Sequence, residues 1–198
     1  FIQSFRELSE TGYRVCYKLV CDEGAASFRV IDDSIETAKG LREKPGCKLT
    51  FSSALKVLEG YSFDIPILQM PYLSGVECSA DCCRLSGGES VIIPRFKTNK
   101  RYSEVREDRD IEDACRRIMD SAGFEMPVNI QFRYEGGRFY LLEVNARMSG
   151  GLQLSCLGSN INIPALALEK LFGIECGKLE RAGECRKVVH IETPICIQ

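Results

Sequence analysis

Leu141-Leu142-Glu143-Val144-Asn145-Ala146-Arg147-Met148-Ser149-Gly150-Gly151 sets a carboxylate, a carboxamide and a guanidinium at every second position of an otherwise apolar run. Successive side chains of a strand point to opposite faces, so Glu143, Asn145 and Arg147 share one face and Leu142 and Val144 the other. The second face is predicted to be core and the first to carry chemistry. Hard divalent cations take oxygen ligands from carboxylates, amide carbonyls and phosphates. A guanidinium donates a forked pair of hydrogen bonds to phosphate oxygens. The stretch therefore reads as a cation and phosphate site.

The preceding run, Asn129-Ile130-Gln131-Phe132, alternates in the same way and is joined to the first by Tyr134-Glu135-Gly136-Gly137-Arg138, a hairpin signal. A plain two-residue turn at Gly136-Gly137 would set Gln131 opposite Leu142 and mix polar with apolar side chains on each face. A loop of odd length or a bulge would set it opposite Glu143. Register follows the buried face, and the odd loop is the expectation. Gln131, Glu143 and Asn145 then supply the ligand set for Mg²⁺. Asn129 ranks below them as a ligand.

Composition bounds the partners. The 198 residues, 44% hydrophobic and 27% charged, are ordinary for one folded domain or two small lobes. A net charge of −2, spread without like-charge blocks, offers no footprint for nucleic acid or an anionic membrane. No apolar run reaches the roughly 18 to 20 residues that span a bilayer, so neither partner is expected and the location is expected to be cytoplasmic. Eleven cysteines form an odd set without Cys-x-x-Cys, and most read as small buried hydrophobes, not as a zinc cluster. The single histidine, His190, reads as a strand residue, and a histidine-based hydrolase lacks its parts. Phe1 is not an initiator methionine, so the chain reads as a piece of something longer.

Along the chain, residues 13–21 and 27–31 read as strands around the turn Asp22-Glu23-Gly24-Ala25-Ala26. A helix is expected from Asp32 or Asp33 to Lys39 and another from Ser52 or Ser53 to Leu58. Pro66 to Met70 reads as a buried strand, with further strands over 76–84 and 90–96. Lys97 to Arg106 reads as a mobile loop. Ile111, Ala114, Cys115, Ile118 and Ala122 recur at helical spacing after Asp108 or Asp110 and stop at Gly123. Ser149-Gly150-Gly151 reads as a flexible turn. Asn160 to Pro164 opens a helix ending at Phe172-Gly173, and Arg186 to Ile197 reads as a final strand. Helices and mostly antiparallel strands are mixed without strict alternation, which argues for an α+β fold.

Glu143-x-Asn145-x-Arg147-x-Ser149-Gly150-Gly151 after Asn129-x-Gln131 resembles the C-terminal metal-binding core of the ATP-grasp superfamily. The wording Cys16-x-Lys18, Phe28-Arg-Val-Ile-Asp32, Pro71-Tyr-Leu-x-Gly75-x-Glu77 and Arg147-Met-Ser-Gly-Gly151 is similar to the carbamoyl-phosphate-synthetase-like group, and most to the branch associated with tellurium-resistance (Ter) type biosynthetic operons. The resemblance implies two α+β lobes enclosing a nucleotide cleft. Residues 1–68 would be the small lobe with the phosphate-loop hairpin, 69–175 the large lobe with hinge and metal hairpin, and 176–198 an extension. The superfamily's preceding N-terminal domain is expected to be absent.

The resemblance also assigns roles. Lys18 and Gly24 would meet the phosphates, although Ala25, Ala26 and Ser27 stand where more glycine is usual. Met70, Tyr72 and Leu73 would form the adenine hinge. Pro71 has no N–H to give, so the donor falls to Tyr72 or Leu73. Glu77 would accept from the ribose, and Arg95, with Arg147, would lie near phosphate or substrate. Asp81 matches a common family position but reads as a structural sheet residue. The implied activity is an ATP-dependent carboxylate–amine ligase working through an acyl phosphate. It would use two Mg²⁺ ions, with Mn²⁺ as an alternative, on small-molecule carboxylate and amine substrates. The missing domain in cis or a homo-oligomer would complete the site. The competing expectation is a degenerate or truncated nucleotide-binding module without catalysis of its own.

Overall fold

The computed structural model describes residues 1–21, 25–35, 46–62, 64–98, 102–173 and 180–191. By contact the chain divides into two units, Phe1–Leu73 and Ser74–Gln198.

In the first unit, strands β1 (Val15–Leu19), β2 (Arg29–Ile31), β3 (Lys48–Leu49) and β4 (Ile67–Pro71) form a sheet of order β3-β2-β1-β4. Helices α1 (Ile2–Ser9) and α2 (Phe51–Glu59) cover the face that Tyr17 and Ile31 present. The cover is aromatic: Phe1 meets Tyr17 edge-on at 5.5 Å and Phe5 stacks on Phe51 at 4.3 Å. Helix α2 begins one residue ahead of expectation because Thr50 caps it, its hydroxyl accepting from Ser53 N–H at 3.2 Å. β4 is half-exposed and not buried as expected, since among the described residues it is an edge strand paired only with β1. Of the helix predicted from Asp32 or Asp33 to Lys39, residues 36–39 lie outside the described residues, as does Gly24.

The second unit is built on six strands, β5 (Glu77–Arg84), β6 (Ser90–Lys97), β7 (Ser103–Val105), β8 (Val128–Glu135), β9 (Arg138–Asn145) and β10 (Arg186–Val188). Their order is β10-β7-β6-β5-β8-β9, antiparallel throughout. Helix α3 (Arg109–Ala122) presents Ile111, Cys115 and Met119 to one face, against Cys78, Phe96, Ile130 and Phe132. Asp108 caps it, accepting from Ile111 N–H at 3.2 Å, and Gly123 closes it in the left-handed conformation at φ 65°. Helices α4 (Leu152–Ser159) and α5 (Ile163–Phe172) lie on the other face, against Cys83, Ile93, Val105 and Val188. Gly158 lets α4 close on β7: a Cβ there would stand 2.5 Å from a Val105 methyl.

In this unit the structure departs from expectation at the 97–106 run and at His190, and adds one unforeseen helix. The run expected to be a mobile loop contains β7, whose Ser103 and Val105 are buried between β6 and β10. The expected turn at Ser149-Gly150-Gly151 is present, but it leads straight into α4, a helix the sequence pattern does not announce because Leu152, Leu154, Cys156 and Leu157 trace no single stripe. His190 lies beyond β10 and is exposed. Among the described residues no helix is long and apolar enough to cross a membrane.

Candidate functional site

The antiparallel register across β6, β5, β8 and β9 lines up Arg95, Ser79, Gln131 and Glu143 in one row, with Ile93, Asp81, Asn129 and Asn145 in the next. Side chains of adjacent strands at one register position share a face, so both rows lie on the α4–α5 face, behind the sheet from α3. Gln131 is opposite Glu143 as expected, but not by the odd loop. The turn is the plain Gly136-Gly137, both with positive φ (57° and 86°), closing Glu135 on Arg138. A bulge at Leu142 then absorbs one residue, because Phe132 pairs with Leu141 and Gln131 with Glu143. Leu142 and Val144, expected in the core, are 39% and 37% exposed, since β9 is the edge of the sheet.

Glu143 is the hub of the set. Its Oε1 accepts from Gln131 Nε2 at 2.8 Å and from Asn145 Nδ2 at 2.8 Å. Both carboxamides thus spend N–H groups on one carboxylate oxygen. Gln131 Oε1, Glu143 Oε2 and Asn145 Oδ1 are left without a donor among the described residues. These are hard oxygen donors of the kind that Mg²⁺ or Ca²⁺ takes. No cluster of three or more His, Cys, Asp or Glu side chains suited to a metal occurs among the described residues, so carboxamides complete any cation site here.

Behind this set the polar atoms are buried. Asn129, 1% exposed, donates from Nδ2 to Asp81 Oδ1 at 2.9 Å, Ser79 Oγ at 2.9 Å and the Ala80 carbonyl at 3.2 Å, and its Oδ1 accepts from Gln131 Nε2 at 3.1 Å. Asp81, 2% exposed, also accepts from the Ser155 hydroxyl at 2.6 Å, and that hydroxyl accepts from Arg95 Nε at 3.1 Å. Arg95 is 4% exposed and makes no ion pair among the described residues. A Cβ on Gly151 would stand 2.3 Å from its Nη2, so the second glycine of Ser149-Gly150-Gly151 makes room for the guanidinium. Ser155 is the residue that sequence reasoning missed. Its signal, a serine one turn into a helix after the double glycine, is invisible until α4 is known to cover β6.

Arg147 does not continue the alternation. β9 ends at Asn145, whose carbonyl accepts from Arg147 N–H at 2.7 Å, and the exposed Arg147 side chain donates to the Met148 carbonyl at 3.1 Å. Glu77 lies on the same face as the rows but is already engaged: Lys97 meets its Oε1 and Arg133 its Oε2, the latter at 3.0 Å. A carboxylate keeps further lone pairs, so a hydroxyl donor still has a place there.

In the first unit, Lys18 and Met70 share the sheet face turned from α1 and α2, with Lys18 opposite Leu68 and Cys16 opposite Met70. The two N–H groups expected at the hinge, those of Tyr72 and Leu73, differ in the structure. Tyr72 N–H is spent on the Arg14 carbonyl at 2.6 Å, and its ring lies under the Arg14 guanidinium at 4.8 Å. That leaves Leu73, whose N–H meets no acceptor among the described residues. Burial, helped by nearby Cys47, raises Cys16 to about 11, so that thiol stays neutral. All nine described cysteines are free.

Two of the concavities on the second unit lie on opposite faces of its sheet. The larger, about 790 Å³, lies over Phe96, Phe132 and Phe139 on the α3 face, behind the sheet from the carboxamide rows. The other, about 680 Å³, is lined by Ser149, Gly150, Leu152, Cys156 and Asn162, directly after the Arg147 bend.

Comparison with known proteins bears on the family and the fold. The chain is 23% identical over 203 residues to the carbamoyl phosphate synthase arginine-specific large chain of Bacillus subtilis (strain 168), an alignment covering 94% of this chain and 18% of that one. Its fold is similar to N5-carboxyaminoimidazole synthetase from Staphylococcus aureus complexed with ADP, with a TM-score of 0.62 and 14% identity, covering 89% of this chain and 45% of that one. It is also similar to the biotin carboxylase domain of the Hydrogenobacter thermophilus 2-oxoglutarate carboxylase, in complex with MgADP, ADP and bicarbonate. There the TM-score is 0.59 and the identity 13%, over 87% of this chain and 39% of that one. The chain thus spans less than half the length of each of these proteins. Residues 64–194 match the family model described as ATP-grasp in the biosynthetic pathway with Ter operon, and with two thirds of its length inside that match the chain belongs to this carbamoyl-phosphate-synthetase-like branch of the ATP-grasp proteins.

Proposed function

We propose that this chain is the catalytic core of an ATP-dependent carboxylate–amine ligase. The observation that supports it best is the convergence of Gln131, Glu143 and Asn145 on one face, with both carboxamide N–H groups turned onto Glu143 Oε1 and three oxygens left over. This donor set fits Mg²⁺, and Gln131, Glu143 and Asn145 would hold it. When bound, the cation neutralises charge on the phosphates of ATP. Two ions are expected, and Mn²⁺ would serve the same oxygens.

In the reaction a substrate carboxylate oxygen attacks the γ-phosphorus of ATP, and the bond to the β-bridging oxygen breaks to release ADP. An amine then adds to the acyl phosphate carbonyl, phosphate leaves, and the amine nitrogen loses a proton to water. Phosphoryl transfer asks the protein for placement and for positive charge on the transferring group. Arg95 supplies a fixed guanidinium, held by Ser155 and seated against Gly151. Arg147 and Lys18 add mobile charge. Leu73 N–H and the neighbouring backbone would take the adenine edge, with Met70 and Tyr72 flanking it, and Glu77 the ribose hydroxyls. Gly24 would approach the phosphates through its backbone N–H.

Calorimetric titration of ATP with and without Mg²⁺, on this chain and on Glu143→Ala, tests the reading. Mg²⁺-dependent binding that disappears in Glu143→Ala is the expected result. Binding indifferent to Mg²⁺, or unchanged by the substitution, would overturn it. Phosphate release by the complete protein, screened against pooled carboxylic acids with and without amines, then identifies the substrates.

A further inference from the structure

We propose that Asn129 is a positioning residue whose buried carboxamide dictates which atom Gln131 turns toward the cation. The inference rests on the cation reading of Gln131, Glu143 and Asn145, and goes beyond it to a residue that touches neither metal nor nucleotide.

A glutamine amide can present either oxygen or nitrogen from nearly the same shape, so a metal ligand of this type needs something to choose. The choice here begins at Asp81. Its carboxylate accepts from the Ser155 hydroxyl on one oxygen and faces Asn129 with the other. A carboxylate facing an amide at 2.9 Å requires an N–H, and the Ala80 carbonyl at 3.2 Å requires the same. Asn129 must therefore turn Nδ2 toward β5, which leaves its Oδ1 toward Gln131. That oxygen, 3.1 Å away, requires a donor from Gln131, and Glu143 Oε1 at 2.8 Å requires a second. Both hydrogens of Gln131 Nε2 are consumed, and Oε1 is the atom left for a ligand. The reversed amide would press oxygen on oxygen at both contacts.

The cause is thus transmitted through three side chains, Asp81 to Asn129 to Gln131, along one face of the sheet. Its buried end is anchored by Ser155, the residue that also holds Arg95. Outer groups that orient metal ligands commonly govern affinity by about 10- to 100-fold.

The test is a cycle on the full chain: wild type, Asn129→Ala, Gln131→Glu, the double variant and Glu143→Ala, each titrated calorimetrically with ATP in Mg²⁺ and in EDTA. Circular dichroism and thermal melting report folding. Asn129→Ala is expected to weaken the Mg²⁺-dependent affinity by about 10- to 100-fold while leaving affinity in EDTA unchanged. Glutamate at 131 ends in two oxygens and needs no orientation, so adding Asn129→Ala to Gln131→Glu should cost no more than about twofold. A purely structural role for Asn129 would instead give the same loss in both backgrounds, and that result, or wild-type Mg²⁺ dependence in Asn129→Ala, overturns the proposal. If Asn129→Ala does not fold, Asn129→Ser carries the same cycle, since its hydroxyl still donates to Asp81 but is too short to reach the Gln131 amide. Mg²⁺ dependence that is absent in wild type or survives Glu143→Ala fails the cation reading itself, an outcome separate from any Asn129 result.

Discussion

At the scale of single residues, Gly151 shows how a missing side chain can matter for charge. The space a Cβ would take is filled by the Arg95 guanidinium, whose own freedom is already limited by Ser155. The obstructing atoms are the far end of a flexible side chain, so Gly151→Ala should move Arg95 more than it destabilises the fold. We expect a stability loss at the low end of the about 1–3 kcal/mol usual for overpacking, with a larger loss in ATP affinity. Urea melts alongside nucleotide titration separate the two, and a collapse in stability with affinity retained would contradict this account. The thiols make a second residue-scale prediction. Cys16 is buried and held neutral by desolvation, Cys78, Cys82 and Cys83 are pushed up by their surroundings, and Cys21, Cys47 and Cys185 are exposed. The thiolate is the nucleophile, so iodoacetamide at pH 8 should label the exposed three quickly and spare the buried ones until the protein unfolds, as mass spectrometry of the digest would report.

At the scale of elements, the glycine before β5 is the sharpest constraint. A Cβ on Gly75 would lie 1.6 Å from the Tyr134 carbonyl oxygen and 2.8 Å from its carbon, and the two residues ahead of Val76 are clamped by Glu135, which accepts from Ser74 N–H at 2.7 Å and Gly75 N–H at 2.8 Å. Those backbone bonds hold the Glu135 carboxyl below its usual range. Gly75→Ala must therefore push β8 itself, and we expect a cost above the about 1–3 kcal/mol of ordinary overpacking, measurable as a fall in the denaturation midpoint. Much at this scale was legible in the sequence. Alternation marked β8 and β9, Asp108 and Gly123 bracketed α3, and the demand for a segregated polar face correctly paired Gln131 with Glu143. How that pairing is achieved was not legible. An edge strand accommodates an unpaired residue at little cost, so the extra Leu142 sits in β9 and the turn stays tight. The exposure of Leu142 and Val144 was hidden for the same reason, because a sequence does not state which strand lies last in a sheet. β7, a three-residue strand inside a polar run, and α4, without an amphipathic stripe, carry no periodic signal to read.

At the scale of the whole molecule, the two units carry different chemistry and different liabilities. The first is pinned by Asp32, which joins Arg14 at 3.2 Å, Lys48 at 2.9 Å and the Ser34 hydroxyl at 2.5 Å. The Ser34 hydroxyl and then the Lys48 ammonium hold its carboxyl far below the ordinary range. A lowered folded pKa means stability that is complete above the ordinary carboxylate value near pH 4 and is lost as acid carries the pH down toward the folded value. Thermal melting between pH 7 and pH 2.5 should show the first unit weakening below pH 4, and Asp32→Asn should be weaker at neutral pH with a shallower acid slope. An unchanged slope in Asp32→Asn would assign the acid loss elsewhere. The order of motifs along the chain pointed to the ATP-grasp family. What it could not convey was the buried wiring between Asp81, Asn129 and Ser155, which exists only once β5, β8 and α4 are stacked.

Among the described residues, Glu143 and Asn145 stand on a strand that is hydrogen-bonded along one flank only. Fraying of that margin would carry two of the three oxygen donors away together, so on the cation reading proposed above, occupancy by a cation and closure of the margin would be thermodynamically linked. Amide hydrogen exchange at Leu141 to Asn145 should therefore slow when Mg²⁺ and ATP are added, while the interior strands β5 and β6 keep their rates. On that reading the same coupling would shield Leu141, Leu142 and Val144 from pairing with another chain, so Mg²⁺ and ATP would also slow association between copies.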